Sequence, residues 1–256
     1  MIRIDEALCV NCGSCARACP MGVIQYKEGK TSVLQGRRCI ECMHCVSICP
    51  KKAVIFDGIE YQTREQPETE IEKLVMNRRS VRHFKPEPPP KELIQWALDT
   101  AAYAPSGKNA HDTRWTVLYG LEETEKVTNL ALDYCVKHKH EAPELIYLHL
   151  KGVNLITCNA PCVIVGWSPD DALNPVIDTA VAATTVELLL QSKGLSTCWG
   201  GYLRQITNVS EDLNKELGIP EGCNMRTALL VGYADKEKYL HIPYRPAAEV
   251  NWVEAE

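Results

Sequence analysis

The segment Cys9-Val-Asn-Cys12-Gly-Ser-Cys15-Ala-Arg-Ala-Cys19-Pro20 contains four cysteines in the spacing C-x2-C-x2-C-x3-C-P. The same spacing returns thirty positions later, in Cys39-Ile-Glu-Cys42-Met-His-Cys45-Val-Ser-Ile-Cys49-Pro50. Three thiolates at three-residue spacing can surround one face of a cuboidal metal–sulfur cluster, and a fourth has to come from elsewhere. The repeat therefore predicts two metal centres that share ligands across the two motifs.

In two-cluster proteins the fourth thiolate of each [4Fe–4S] cluster comes from the other motif. This arrangement predicts two ligand sets: Cys9, Cys12, Cys15 and Cys49 for the first cluster, and Cys39, Cys42, Cys45 and Cys19 for the second. Zinc is the alternative, since C-x2-C pairs also bind zinc, but zinc modules usually separate their two pairs more widely. Residues 1–60 resemble bacterial-type two-cluster ferredoxins.

The composition is that of an ordinary globular protein, with 45% hydrophobic and 24% charged residues. The net charge of −5 gives no reason to expect a nucleic-acid partner. The first residues lack the apolar run of a signal peptide, and no uninterrupted apolar stretch reaches the ~20 residues that cross a bilayer. Eight of the thirteen cysteines lie in the two motifs. Because such clustering indicates metal chemistry in a reducing compartment, we expect a cytoplasmic protein without a membrane segment.

A polar segment separates the cysteine-rich module from the rest of the chain. Residues 61–70 are Tyr-Gln-Thr-Arg-Glu-Gln-Pro-Glu-Thr-Glu and contain almost no apolar side chains. Thr69 is placed to cap a helix whose apolar positions Ile71, Leu74 and Val75 follow the helical period. The predicted organisation is a cluster module at 1–60, a linker at 61–70 and a larger domain at 71–256.

The larger domain combines strand and helix patterns. Runs rich in β-branched and apolar residues predict strands at 115–119, 162–166 and 227–231. Residues 180–193 predict a helix that is apolar almost all round and is followed by Gly194. A helix of that kind belongs at the centre of a domain or in a large subunit interface. The predicted fold class is α+β, with a central sheet and buried helices.

Several segments of this domain suit a phosphorylated cofactor, although no G-x-G-x-x-G dinucleotide motif is present. The segment Arg78-Arg79-Ser80-Val81-Arg82 places three guanidinium groups and a hydroxyl within five residues, which suits a phosphate. A solvated basic turn is the alternative. The segment is followed by Ala104-Pro105-Ser106-Gly107-Lys108-Asn109, by Cys198-Trp199-Gly200-Gly201-Tyr202 and by Ile242-Pro243-Tyr244-Arg245-Pro246. Together and in this order, the segments resemble the nitroreductase family of FMN enzymes over residues 70–256.

The resemblance implies intertwined homodimers with two FMN sites at the interface. In that arrangement Arg78, Ser80, Arg82 and Arg245 would hold the FMN phosphate, Pro105, Ser106 and Asn109 would reach the partner's flavin, and Gly200 and Gly201 would place backbone near N5. The full set of implied FMN-binding residues also includes Arg79 and Trp199. His111 stands where the family usually has Gln, so we expect it to replace that flavin contact, to face substrate, or to be a surface residue.

The two parts together predict an FMN-dependent oxidoreductase that passes electrons from the clusters through FMN to a small electron-poor molecule, such as a nitroaromatic, quinone or enone. Reduced ferredoxin is an expected donor. An NAD(P)H-driven nitroreductase with accessory clusters and a non-catalytic electron-transfer flavoprotein are the alternatives. No catalytic side chain is assigned, because in this family the flavin does the chemistry while the protein positions substrate.

Overall fold

The computed structural model describes residues 2–57, 67–138, 143–236 and 238–254. The chain divides into two compact units. The first unit comprises Met1–Asn77 together with Glu237–Glu256, and the second comprises Arg78–Lys236. The second unit is thus an insertion in the sequence of the first. Within the described ranges, no helix has both the length and the apolar character needed to cross a membrane.

The first unit is built from short elements arranged around the cysteine motifs. Strand β1 (Ile2–Ile4) pairs antiparallel with β4 (Val54–Phe56), and β2 (Ile24–Lys27) pairs antiparallel with β3 (Lys30–Val33). Helices α1 (Ser14–Arg17) and α2 (His44–Ile48) each begin one residue before the third cysteine of a motif. The apolar core contains cysteines as well as Ile24, Ile48 and Val54. The core of this unit therefore includes three of its predicted metal ligands as buried residues, Cys15, Cys45 and Cys49.

Helix α3 (Glu70–Asn77) begins with the cap expected from the sequence. The Thr69 Oγ1 accepts a hydrogen bond from the Glu72 amide, and the Glu72 carboxylate accepts one from the Thr69 amide, both at 3.1 Å. This reciprocal pair is a capping box. It provides acceptors for two backbone amides that have no hydrogen-bond partner within the helix. Residues 61–66 of the expected linker lie outside the described residues.

The second unit is an antiparallel four-stranded sheet with helices on both faces, which confirms the α+β class. The strand order is β5-β6-β8-β7. The strands are β5 (Arg114–Tyr119), β6 (Cys162–Pro169), β7 (Ser196–Trp199) and β8 (Cys223–Gly232). The helices are α4 (Lys91–Ala101), α5 (Leu121–Lys137), α6 (Pro143–Leu150), α7 (Pro175–Ser192), α8 (Gly201–Thr207) and α9 (Glu211–Glu216). Each of the three strands expected from the sequence is present.

The alternation of strand β6 explains why both faces of the sheet are covered. Cys162 and Ile164 pack with residues of α4 and α7, whereas Val163 and Val165 pack with residues of α5 and α8. Side chains alternate between the faces of a strand, so a strand that is apolar throughout has to be buried on both sides. Helix α7 covers one face and begins five residues earlier than expected, at Pro175.

The division of the chain differs from the expected domains at two places. Helix α3 and residues 238–254 belong to the first unit, whereas the expected larger domain spans residues 71–256. The physical reason for the second difference is a set of hydrogen bonds between residues 240–245 and the second cysteine motif. Spacing within the sequence does not reveal contacts of this range.

Candidate functional site

Two cavities in the first unit are lined by the two predicted ligand sets. One cavity is lined by Cys9, Cys12, Cys15 and Cys49, and the other by Cys19, Cys39, Cys42 and Cys45. The structure therefore groups the eight cysteines in the crossed arrangement. The fourth cysteine of each motif lines the cavity that contains the first three cysteines of the other motif.

Backbone amides donate hydrogen bonds to the sulfur atoms of these cysteines. The Val23 amide lies 3.2 Å from the Cys19 sulfur, and the Ala53 amide lies 3.3 Å from the Cys49 sulfur. Both donors stand four residues after the cysteine, so the two motifs repeat the same contact. Amide donors favour the thiolate form and stabilise the sulfurs of iron–sulfur clusters. The donor set therefore fits a pair of [4Fe–4S] clusters.

The loops between the cysteines also repeat one backbone conformation. Asn11 and Glu41 have positive φ angles of 52° and 53°, and Gly13 and Met43 have φ angles of 72° and 62°. Left-handed backbone conformations are rare for residues other than glycine, asparagine and aspartate. Their presence at Glu41 and Met43 shows that the loop shape needed at each cavity prevails over residue preference.

Burial makes one thiol of each cavity a poor acid. Burial, followed by the effect of Cys49, raises the pKa of the Cys15 thiol to about 11. Burial, followed by the effect of Cys42, raises the pKa of the Cys45 thiol to about 12. Iron binds thiolates, so metal binding has to release these protons and supply positive charge to offset the burial.

In the second unit the arginine-rich segment lies beside the edge strand β7. Ser80 forms a parallel bridge with Thr197, and the Val81 amide donates to the Thr197 carbonyl at 2.9 Å. The Arg82 guanidinium donates to the Ser80 carbonyl at 3.1 Å, and Arg79 is buried. The segment is thus ordered by the sheet, which argues against the alternative of a freely solvated turn.

A buried carboxylate connects this segment to the Trp199 region. Glu187 of α7 is 2% exposed, and its Oε1 lies 3.5 Å from the Arg78 guanidinium. Thr197 donates to the same oxygen at 2.7 Å, and the Trp199 indole donates to Oε2 at 3.1 Å. Glu187 is not among the residues expected from the sequence, although it is the one charged residue between Ala180 and Ser192. A lone charge in such an apolar run was the available signal.

The two glycines after Trp199 have different surroundings. The Gly200 amide donates to the Ala228 carbonyl at 2.8 Å, and a Cβ at Gly200 would lie 3.2 Å from the side chains of Ala228 and Leu230. Gly201 is the first residue of α8, so its amide has no acceptor within the helix. A Cβ at Gly201 would meet no atom within 4 Å. Gly201 therefore offers the accessible backbone surface.

The loop from Pro105 to His111 is held by its own polar groups. The His111 amide donates to Ser106 Oγ at 3.0 Å, and the His111 ring nitrogen Nε2 lies 2.9 Å from Asn109 Oδ1. The Gly107 amide donates to the Asp178 carboxylate of α7 at 3.0 Å. Ser106, Asn109 and His111 thus form one local cluster at the start of α7.

Arg245 belongs to the first unit, whereas the other expected FMN-binding residues belong to the second. Its guanidinium donates to the carbonyl of Cys42 at 3.2 Å and to the carbonyl of Tyr244 at 3.0 Å. The expected contact between Arg245 and the FMN phosphate stays a prediction.

Family models match both parts of the chain. The model of the nitroreductase family matches residues 75–233, and a 4Fe-4S dicluster domain matches residues 8–54. The first match covers more than half of the chain and includes almost all of the second unit. The second match contains all eight cysteines of the two cavities.

Individual proteins show the same division. The chain is 37% identical to a ferredoxin of Pyrobaculum islandicum over 53 residues, which are 21% of this chain and half of that protein. It is 25% identical over 173 residues to the putative NAD(P)H nitroreductase YfhC of Bacillus subtilis, covering 65% of this chain and 85% of the relative. A nitroreductase from Desulfitobacterium hafniense, whose crystal structure contains bound FMN, is 28% identical. That structure aligns over 73% of this chain and 100% of its own, with a TM-score of 0.62.

The crossed ligand sets make a prediction about iron content in protein purified without oxygen. The parent should contain about eight irons per chain, and Cys42→Ala about four, because each [4Fe–4S] cluster holds four. The double variant Cys19→Ala/Cys42→Ala should also keep about four irons, since both cysteines line one cavity. Iron and acid-labile sulfide are measured together.

The matched control is Cys12→Ala/Cys42→Ala, which removes one cysteine from each cavity and should leave almost no iron. The crossed arrangement would be contradicted if both double variants lost the same amount of iron while Cys42→Ala alone kept about four irons.

Proposed function

Because the chain belongs to the nitroreductase family and also contains a 4Fe-4S dicluster domain, we propose that it is an FMN-dependent oxidoreductase driven through its clusters. Electrons enter at the two [4Fe–4S] clusters, pass to FMN and reduce a small electron-poor substrate of the nitroaromatic, quinone or enone type. The observation that carries the proposal is the presence of two complete four-cysteine cavities in the same chain as a nitroreductase domain. The clustering of eight of the thirteen cysteines in the two motifs favours the cytoplasm as the compartment.

The second unit contains the groups that this proposal assigns to FMN. Arg78, Ser80 and Arg82 supply guanidinium and hydroxyl donors for the phosphate, and the sheet orders the segment that holds them. The ion pair with Glu187 fixes the Arg78 guanidinium before the phosphate binds. Arg79 is buried in the same segment and donates a hydrogen bond to the Arg78 carbonyl. Preorganised donors of this kind lose little freedom on binding, which increases affinity.

The Trp199 region is assigned to the ring system of the flavin. The hydrogen bond to Glu187 holds the Trp199 indole in one orientation. Gly200 maintains close packing against β8, and Gly201 presents an amide at the start of α8 with no side chain in front of it. FMN supplies the conversion between one-electron and two-electron transfer. The protein supplies binding and orientation, and no side-chain acid, base or nucleophile is required.

We also propose that two copies of the chain form a homodimer through the start of α7. Val176 and Ile177 are 58% and 64% exposed, and Leu173 is 51% exposed just before the helix. The loop containing Pro105, Ser106, Asn109 and His111 is tied to this end of α7 through Asp178. Exposed apolar patches commonly mark interaction sites. A partner that covers the patch would meet this loop, in agreement with its proposed contact to the partner's flavin.

The electron donor provides the test of the main proposal. The cluster-free variant Cys12→Ala/Cys42→Ala should reduce a quinone or nitroaromatic at least tenfold more slowly than the parent when reduced ferredoxin is the donor. The reason is that one-electron carriers are expected to deliver to the clusters. The measurement is anaerobic steady-state turnover, with Cys223→Ala as the control because Cys223 lines neither cavity.

Equal rates for the parent and the cluster-free variant would sink the proposal. Rapid reduction of FMN by NADH or NADPH in that variant would instead favour an NAD(P)H-driven reductase, as the name of the Bacillus relative suggests. Negligible turnover with every small acceptor, together with fast reduction of a partner protein, would favour a non-catalytic carrier.

Substitutions at the two glycines should separate flavin binding from stability. We expect Gly201→Ala to leave the melting temperature of the apoprotein unchanged, because the added Cβ meets open space, and to weaken FMN binding at least tenfold. Gly200→Ala should lower the melting temperature instead, because its Cβ crowds Ala228 and Leu230. Fluorescence titration with FMN and thermal unfolding give the two readouts. Unchanged FMN affinity in Gly201→Ala would remove Gly201 from the flavin site.

The proposed dimer predicts a change of mass after a substitution at the patch. The parent should have twice the 28.6 kDa mass of the chain in light scattering after size exclusion. Ile177→Lys should convert it to a monomer, because burying an unpaired ammonium group is strongly unfavourable. Val209→Lys, at a residue 59% exposed between α8 and α9, is the control. A parent protein of 28.6 kDa would overturn the dimer.

A further inference from the structure

Residues 238–254, which we call the return segment, lie against the second cysteine motif. The amides of Leu240 and His241 donate to the carbonyl of Ser47 at 2.8 and 3.1 Å. The ring nitrogen Nε2 of His241 lies 3.1 Å from the carbonyl oxygen of Cys49. The ring of Tyr239 lies 5.3 Å from that of His44, centroid to centroid. The return segment therefore contacts the motif along α2 and just beyond it.

Arg245 contacts one of the cysteines that line the second cavity. Its guanidinium donates to the carbonyl of Cys42, a cysteine of the second cavity, at 3.2 Å. The two residues are 203 positions apart in the sequence. A guanidinium group is always charged in proteins, so this contact places a fixed positive charge beside a ligand of the second cluster.

The first motif has the equivalent contact, but from within its own sequence. Arg17 donates to the carbonyl of Cys12 at 3.4 Å and to Ser14 Oγ at 3.1 Å. The repeat aligns Cys12 with Cys42 and Arg17 with Ser47. Ser47 is fully buried under the return segment. The second motif thus has no arginine at the repeated position, and its guanidinium comes from residue 245.

We propose that the return segment completes the second cluster site. Arg245 places a positive charge beside Cys42, as Arg17 does beside Cys12. Reduction adds one negative charge to a [4Fe–4S] cluster, and a nearby positive charge stabilises the reduced form. Arg17 and Arg245 therefore each raise the reduction potential of one cluster. Arg245 is a positioning and charge-supplying residue in this role, and it does not touch the reacting substrate.

This role depends on the dicluster domain and is independent of the proposed FMN reaction. A protein that lacked FMN or reduced no small molecule would still show it. The residues involved all belong to the first unit, so the hydrogen bonds that support it lie within one compact body.

An anaerobic redox titration of the full chain, followed by electron paramagnetic resonance, tests the proposal. Arg245→Ala should shift the reduction equilibrium of one cluster toward the oxidised form by on the order of tenfold, which is ~59 mV for a one-electron couple. Arg17→Ala, the matched control, should shift the first cluster in the same direction and leave the second cluster unchanged. Arg245→Lys keeps the charge and should recover most of the shift.

Iron and FMN contents of the same samples distinguish the remaining outcomes. Loss of about four irons in Arg245→Ala but not in Arg245→Lys also supports the proposal, because the site is then incomplete without this charge. Unchanged potentials and iron in Arg245→Ala overturn it. Loss of FMN with unchanged cluster potentials likewise overturns it and assigns Arg245 to the flavin phosphate.

Discussion

Each cluster cavity needs four thiols, and neither cysteine motif can provide more than three to its own cavity. This constraint organises the first unit, because the fourth thiol has to come from the other motif. The pairing of β1 with β4 joins the start of the unit to the strand after the second motif, and so supports the crossing. Cysteines form part of the small apolar core. We therefore expect metal binding and folding to be coupled, as in other small domains whose apolar core is too small to stabilise them alone.

The proposed flavin site of the second unit depends on a different interaction, in which a buried carboxylate accepts hydrogen bonds and an ion pair from surrounding donors. A charge as deeply buried as that of Glu187 is expensive unless it is paired and hydrogen-bonded. Arg78, Thr197 and Trp199 satisfy it from the arginine-rich segment and from β7. One side chain on a central helix thus fixes both the proposed phosphate donors and the proposed ring contact. The family match extends over these elements, while Glu187 explains how this particular chain holds them together.

Local patterns predicted much of the molecule, and distant contacts account for what they missed. The cysteine spacing, the cap at Thr69 and the strand patterns depend on neighbouring residues, and the structure contains the corresponding elements. The position of Arg245 depends on a contact across 203 residues, so no local pattern contains it. Glu187 is recognisable in the sequence as the lone charge of an apolar run. Its hydrogen-bond and ion-pair partners come from two other segments, the arginine-rich segment and β7, which no local pattern connects to it. The sequence predicts a flavin contact for Ser106 and leaves His111 as a flavin contact, a substrate contact or a surface residue; the hydrogen bond between the two is visible only in the folded loop.

The insertion of the second unit within the sequence of the first has a consequence for biosynthesis. The cysteines leave the ribosome first, but Arg245 and its neighbours follow only after the whole of Arg78–Lys236 has been translated. At about 5–20 residues per second, that interval is roughly 10–30 s. During this time the first cavity already has its own arginine, whereas the second still lacks the segment that covers Ser47. If the return segment completes the second cluster site as proposed, the nascent chain would finish its second iron centre only after the reductase domain has been translated.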